Sequence, residues 1–331
     1  MKFSPLSRFP SRDSRHHHKK VAKREGTSVK LALAFVDTLQ FILELTSTKL
    51  TRGHSRWQRQ SSSQALPEVR SSWIPAEMKR LGLLRLLTPI YQLGIGWIIA
   101  QYLLHAANNL VVLARTAEPL QKLKEQYPKQ VEVLTGDVAD FSLGEKAVKL
   151  ALSSFGRLDG LVLNHGILGQ VGKIADADLE QWKQGFDVNF LSLVAFTKAA
   201  LPSLRESKGK IIFTSTGAAV SAYKTWGLYG STKAAMNHLA ATLGAEEPDV
   251  TTVAIRPGMV DTEMQRELRE VHRDNMPADV HAKFYNAHKE GKLLKPEQPG
   301  HVMARLVLDA PQSLSGRFLS WNDKELEAFQ E

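Results

Sequence analysis

Cysteine is absent from all 331 residues. That excludes disulfides, thiolate nucleophiles and cysteine-held zinc, and it is compatible with a reducing compartment. Acidic residues are scarce in one place only. Residues 1–80 hold 16 Lys/Arg against 6 Asp/Glu, whereas the other 251 residues hold 27 against 28. The formal charge of +9 is therefore wholly N-terminal and carries no information about partners of the rest of the chain. Uncharged apolar runs are also short. The longest, Leu86–Leu104, spans 19 residues, but Pro89, Gln92, Gly94, Gly96 and Gln101 dilute it, which argues against a membrane-spanning helix.

The first quarter is poor in apolar residues as well as acids. "SPLSRFPSRDSRHHHKKVAKREG" and "TRGHSRWQRQSSSQALPEVRSS" cannot bury much surface, so residues 1–80 read as a basic, low-order extension. Between them, Val29–Leu45 ("VKLALAFVDTLQFILEL") has helical apolar spacing and predicts one amphipathic helix. An Arg/Ser-rich, acid-poor start is compatible with a mitochondrial transit peptide, though a cytoplasmic location is the main expectation. Clustered charge alone is too unspecific to assign nucleic-acid or membrane binding, and neither is expected. His16–His18 in such a tail are solvated imidazoles, and no metal site is expected.

What is present begins near residue 81. The apolar runs 110–115, 131–138, 158–166, 210–216 and 250–258 read as buried strands, rich in Val, Ile and Leu and bounded by turn residues. Segments of helical length lie around them, at about 94–107, 117–127, 142–155, 176–205 and 228–246. Strands alternating with helices imply right-handed crossovers and a parallel sheet covered on both faces: a doubly wound α/β (Rossmann) domain over 81–331. Ligands of such sheets bind beyond the carboxyl ends of the strands.

The residues at those ends form a pattern. Tyr229 and Lys233 in "WGLYGSTKAAMNHL" are four apart on a predicted helix and share one face. A phenol near pKa 10 is a weak proton donor at neutral pH, and an ammonium one turn away is expected to lower that value. Thr216 and Ser215 close one strand, "NHG" (Asn164, His165, Gly166) another, and "RPG" with Thr262 a third, while Asn189 is a polar residue in an apolar helical stretch. Each alone is bland: a solvated pair, an N-cap hydroxyl, a turn. In this order and spacing they are specific.

The constellation resembles the short-chain dehydrogenases/reductases over about residues 85–325, and within them carbonyl reductases similar to sepiapterin reductase and benzil reductase. The resemblance implies a nicotinamide cofactor and a Ser–Tyr–Lys–Asn tetrad. Tyr229 would be general acid in reduction, Lys233 would lower its pKa and hold the nicotinamide ribose, and Asn189 would support a proton relay. Thr216 stands at the family's serine position, with Ser215 as the fallback one residue out of register. Asn164 and Gly166 match the turn beside the adenosine ribose, with His165 in place of a small residue. Asp137 matches the adenine-contacting acid, and Pro257, Gly258 and Thr262 match the nicotinamide-amide segment. Homodimers or homotetramers paired through 229–246 are implied too.

Glycine is short at one decisive point. The family's phosphate loop is Thr-Gly-x3-Gly-x-Gly; Gly94, Ile95 and Gly96 fit its end, but Pro89 and Ile90 fall at the Thr and first Gly, followed by Tyr91. An isoleucine has no easy access to positive φ and a proline lacks an N–H, so weakened cofactor binding is expected. Arg115 ends a strand 19 residues after Gly96, where an acid would select NAD; its charge favours NADP(H). The expected activity is NADPH-dependent reduction of a ketone, diketone or pterin-like carbonyl. The alternative is a catalytically impaired binding or regulatory protein built on the same fold.

Overall fold

A computed structural model of the chain describes residues 30–34 and 94–330. Seven strands form one sheet in the order β3-β2-β1-β4-β5-β6-β7, and every neighbouring pair is parallel. They are β1 (Lys30–Ala34), β2 (Asn109–Ala114), β3 (Val131–Thr135), β4 (Gly160–Leu163), β5 (Lys210–Thr214), β6 (Thr251–Arg256) and β7 (Arg317–Ser320). Their near-continuous Val/Ile/Leu runs suit strands covered on both faces. Leu110–Val112, Val162, Leu163, Ile211–Phe213 and Val253–Ile255 are fully buried.

Helices cover both faces. On one lie α1 (Ile95–His105), α2 (Ala117–Gln126) and α9 (Glu297–Asp309), whose buried Ile99, Leu103, Leu120 and Met303 meet Val112 and Val253 in one core. On the other, α3 (Ser142–Phe155), α5 (Ser192–Ser207) and α6 (Gly227–Glu246) bring Ala147, Phe196 and Met236 onto Val111, Leu161 and Phe213. Each such large side chain contributes roughly 1.5–3 kcal/mol on burial, so the two layers fix the sheet's helices firmly. Three further helices follow among the described residues: α4 (Leu179–Phe186), capped by the Asp178 carboxylate accepting from Glu180 and Gln181 N–H, then α7 (Glu263–Glu270) and α8 (Ala278–Lys289). Among the described residues no helix is long and apolar enough to cross a membrane.

Two expectations are corrected. Lys30–Ala34 is not helical: it is the central strand, pairing Lys30 with Asn109 on β2 and Leu31 with Gly160 on β4. A short apolar run suits helix or strand equally, and sheet pairing overrides the local preference. Residues 35–45 of the expected helix lie outside the described residues, as does the strand-like stretch 86–93 with Pro89, Ile90 and Tyr91. Five residues of the stretch expected as an extension, Lys30–Ala34, thus form the strand between β2 and β4. The long helix expected over 176–205 is also divided. It runs as a 3-10 turn, α4, a π-helical segment Asp187–Leu191 and α5.

Candidate active site

The strand order reverses between β1 and β4, and the carboxyl ends there open into a cleft, as doubly wound sheets require. A cavity of about 1040 Å³ occupies it. Gly94, Ile95 and Gly96 at the start of α1, Asn164–Gly166 after β4, Ser215 and Thr216 after β5, Tyr229 and Lys233 of α6, and Pro257, Gly258 and Thr262 after β6 all line it. Residues far apart in sequence thus converge on one wall.

Tyr229 is 8% exposed and Lys233 2%. Burial pushes the Tyr229 phenol up to about 12, against a smaller downward pull from its hydrogen bond with Thr216. The lowering expected from Lys233 is not what this geometry produces. The Lys233 Nζ donates to the Thr214 carbonyl at 2.8 Å and lies 5.9 Å from the Tyr229 ring centroid. Burial draws Lys233 itself down to about 8. Desolvation dominates both groups because each is nearly removed from water.

The two candidate hydroxyls separate cleanly. Ser215 donates to Asn237 Oδ1 at 2.6 Å, so its proton is committed to α6. Thr216 instead faces Tyr229, while its Oγ1 also accepts from Ala218 N–H at 3.3 Å as a turn cap. The turn-cap expectation for Thr216 is thus met by the same oxygen that lines the cavity.

Asn189 is fully buried in the π-helical segment and does not line the cavity. Its amide accepts from Ile167 N–H and donates to the Ile167 carbonyl, both at 2.8 Å, and reaches Thr232 Oγ1 at 3.1 Å. That clamp ties the turn after β4 to α6, and a π-bulge is the usual backbone device for presenting such a group. Gly166 sits inside the clamp. A Cβ there would lie 3.3 Å from both Asn189 Oδ1 and Lys233 Nζ, so only glycine leaves the space open.

His165, the departure from a small residue, is buried beside this clamp. Its Nε2 is 2.7 Å from Ser192 Oγ, whose own proton goes to the Val188 carbonyl at 2.6 Å. Nε2 must then carry hydrogen, which leaves Nδ1 a bare, buried acceptor without a partner. Burial, aided by the Lys233 charge, brings His165 down to about 3.

Besides Asn189, two further sequence-derived residues stand outside the cavity lining. Asp137 is exposed and accepts from Ala139 N–H at 3.0 Å. Arg115 is half-buried with Nε unpartnered, and its neighbour Thr116 lines the cavity instead. Conversely, an aromatic wall went unread in the sequence. Tyr223 stacks on Trp226 at 5.4 Å, Trp226 on Phe284 at 5.2 Å, and Trp226 meets Tyr229 edge-on at 5.9 Å. Trp226 lies one helical turn before Tyr229 and was findable by that spacing. Phe284 arrives from α8 and has no local signal.

The residues present fit a dinucleotide. The cavity runs from the start of α1, which offers N–H groups to a phosphate, to Tyr229 and Lys233 of α6, and Gly94 and Gly166 leave their Cβ space free. Known proteins agree. The short chain dehydrogenase family model matches residues 91–273. A Schizosaccharomyces pombe protein described as an uncharacterized oxidoreductase is 38% identical over 69% of this chain and 92% of its own length. A Saccharomyces cerevisiae benzil reductase, (S)-benzoin forming, is 38% identical over 72% and 95%. A solved short chain dehydrogenase/reductase from S. cerevisiae superposes with a TM-score of 0.70 at 36% identity, covering 72% of this chain and 96% of its own. The chain belongs to the short-chain dehydrogenase/reductase family and is an oxidoreductase of that family.

Proposed function

We propose that the protein reduces a ketone or diketone with NADPH and that Tyr229 delivers the proton. The observation that carries this reading is the convergence of Thr216, Tyr229 and Lys233 on one cavity at the carboxyl ends of the strands. When bound, the nicotinamide supplies hydride to the carbonyl carbon. Tyr229 gives its proton to the carbonyl oxygen, and the product is the alcohol. A phenol raised by burial keeps its proton at neutral pH but gives it up less readily than an unshifted one, so the phenolate that forms must be stabilised by Thr216 and the Lys233 charge. Thr216 orients that phenol and polarises the carbonyl. Lys233, still largely charged at neutral pH, would hold the ribose hydroxyls of the cofactor and return a proton to the phenol, while Asn189 would act from behind by fixing the turn after β4 against α6. The benzil reductase relatives from S. cerevisiae and Bacillus cereus support a carbonyl substrate.

Replacing Tyr229 by Phe should lower carbonyl reduction at least about a hundredfold while cofactor affinity stays within about twofold; unchanged turnover would end the assignment. NADPH over NADH rests on the lack of an acid at the end of β2, where Arg115 stands, and a solved alcohol dehydrogenase from Thermococcus sibiricus, 27% identical, is complexed with 5-hydroxy-NADP. An Arg115→Asp protein should turn toward NADH, and persistent NADPH preference would remove this reason. The same reading carries a homo-oligomer paired through α6 and its neighbour α5, which light scattering checks.

One observation favours the second reading, an impaired binding protein. The chain uses residues 35–94 to pass from β1 to α1, where the family's phosphate turn is short. Saturable NADPH binding without turnover of any carbonyl would select it.

A further inference from the structure

Six charged side chains line the cavity: Glu118, Lys122, Lys233, Arg256, Glu263 and Lys283. Four of them are answered. Glu118 and Lys122 pair at 2.7 Å, Glu263 is held by Arg266, and Lys233 donates to the Thr214 carbonyl. The guanidinium of Arg256 and the ammonium of Lys283 have no hydrogen bond or ion pair among the described residues.

These two cations come from different elements, β6 and α8, and both lie in the neighbourhood of Tyr223. Lys283 Nζ lies 5.3 Å from the Tyr223 centroid. A Cβ on Gly217 would lie 3.8 Å from Arg256 Nη1 and 3.8 Å from the Tyr223 hydroxyl, so both reach the residue that follows Thr216. The Tyr223 hydroxyl is also without a hydrogen-bond partner among the described residues. Three free donors, two of them charged, therefore stand at the mouth of the substrate end. Behind them the wall is apolar: Trp226, Phe284 and Leu268 line the cavity and belong to one buried cluster.

We propose that this mouth is a carboxylate subsite and that the substrate is a keto acid with an apolar, ring-accommodating body. The inference rests on the carbonyl-reducing reading of the same cavity. Arg256 offers a planar fork that matches a carboxylate through two parallel hydrogen bonds. Its closeness to Thr216 puts the carboxylate near the carbonyl, as in 2-oxo and 3-oxo acids. Trp226 and Phe284 take the body of the molecule.

The test compares phenylglyoxylate with its methyl ester, which keeps the ring and ketone but removes the charge. The acid should be preferred in kcat/KM, and Arg256→Gln should lower the acid-to-ester ratio at least tenfold, mainly through KM. Lys283→Met, on a separate helix, should move the ratio the same way by about threefold. An unmoved ratio, or a wild-type preference for the ester, overturns the proposal. Calorimetric titration of the full chain with mandelate and with NADPH supplies a readout that needs no turnover. If neither ketone is reduced, the reductase reading fails, yet Arg256-dependent mandelate binding still supports the subsite. If mandelate does not bind, or binds the variant equally, the subsite is overturned. Weaker NADPH binding with unchanged mandelate binding in Arg256→Gln also overturns it, assigning the guanidinium to the cofactor.

Discussion

The two sides of the cleft are reached by the chain in opposite ways. On the β5–α6 side, the residues between Thr214 and Gly227 carry Ser215, Thr216, Tyr223 and Trp226 straight into the cavity, and α6 presents Tyr229 and Lys233 within its first two turns. On the β1–α1 side, Ala34 ends the strand and Ile95 starts the helix, with residues 35–94 between them. The first side is local chemistry set by short spacings. The second is assembled by pairing a distant five-residue strand between β2 and β4. A Rossmann half-site therefore needs its strand and its helix in the right place, and the length of chain that joins them is a separate variable. Loop closure adds only about 0.6 kcal/mol per doubling of length.

The comparison breaks most visibly if the extension is cut at the point composition suggests. Deleting residues 1–80 removes β1 from the centre of the sheet, so no cooperative thermal transition should remain. Deleting residues 1–26 removes only charged, apolar-poor chain and should leave Tm within about 2 °C. A folded, active protein lacking 1–80 would show that β1 is dispensable and would restore the boundary at residue 81.

A smaller effect probes the cofactor side alone. Gly94 has an ordinary φ of −48°, and a Cβ there would meet only Thr262 Cγ2 at 3.7 Å, so Gly94→Val should fold normally. Its side chain would stand in the cavity, and cofactor Kd should rise about tenfold. Unchanged affinity in a calorimetric titration would place the phosphates away from α1.

The smallest effect belongs to His165, on the catalytic side. Folding holds it neutral, with the pKa at about 3 against an ordinary 6.5. Between those values the unfolded chain takes up a proton that the folded chain refuses, so stability falls as pH drops below 6.5, by up to about 1.4 kcal/mol per unit. His165→Ala leaves a void and should lower Tm at pH 7. The deficit should shrink by a few degrees at pH 5, because the variant lacks that acid-dependent loss. Parallel Tm curves from pH 7 to 5 would mean that the ring is protonated in the fold.

Much of this was legible without coordinates. The order of apolar runs and helical segments requires a parallel, two-faced sheet, and five strands and most helices stand within a few residues of their expected places. Tyr229, Lys233, Thr216, Asn164 and Gly258 were readable because their signals are short-range: one helical turn, or the residue after a strand. β1 was misread because "KLALA" is too short for periodicity to separate strand from helix. Asn189 was named, but its π-helical setting depends on Ile167 and Thr232, which come from other elements.

By itself, then, the order of residues determined the fold class and the family, and it singled out the side chains we propose to react, since each depends on local spacing. The tertiary structure alone decided which strand fills the centre of the sheet and which of two hydroxyls faces Tyr229. It also turned the Tyr229 pKa upward rather than downward, and it left Arg256 and Lys283 unpaired beside one tyrosine. Those are matters of burial and of contacts between distant segments, and no window along the chain contains them.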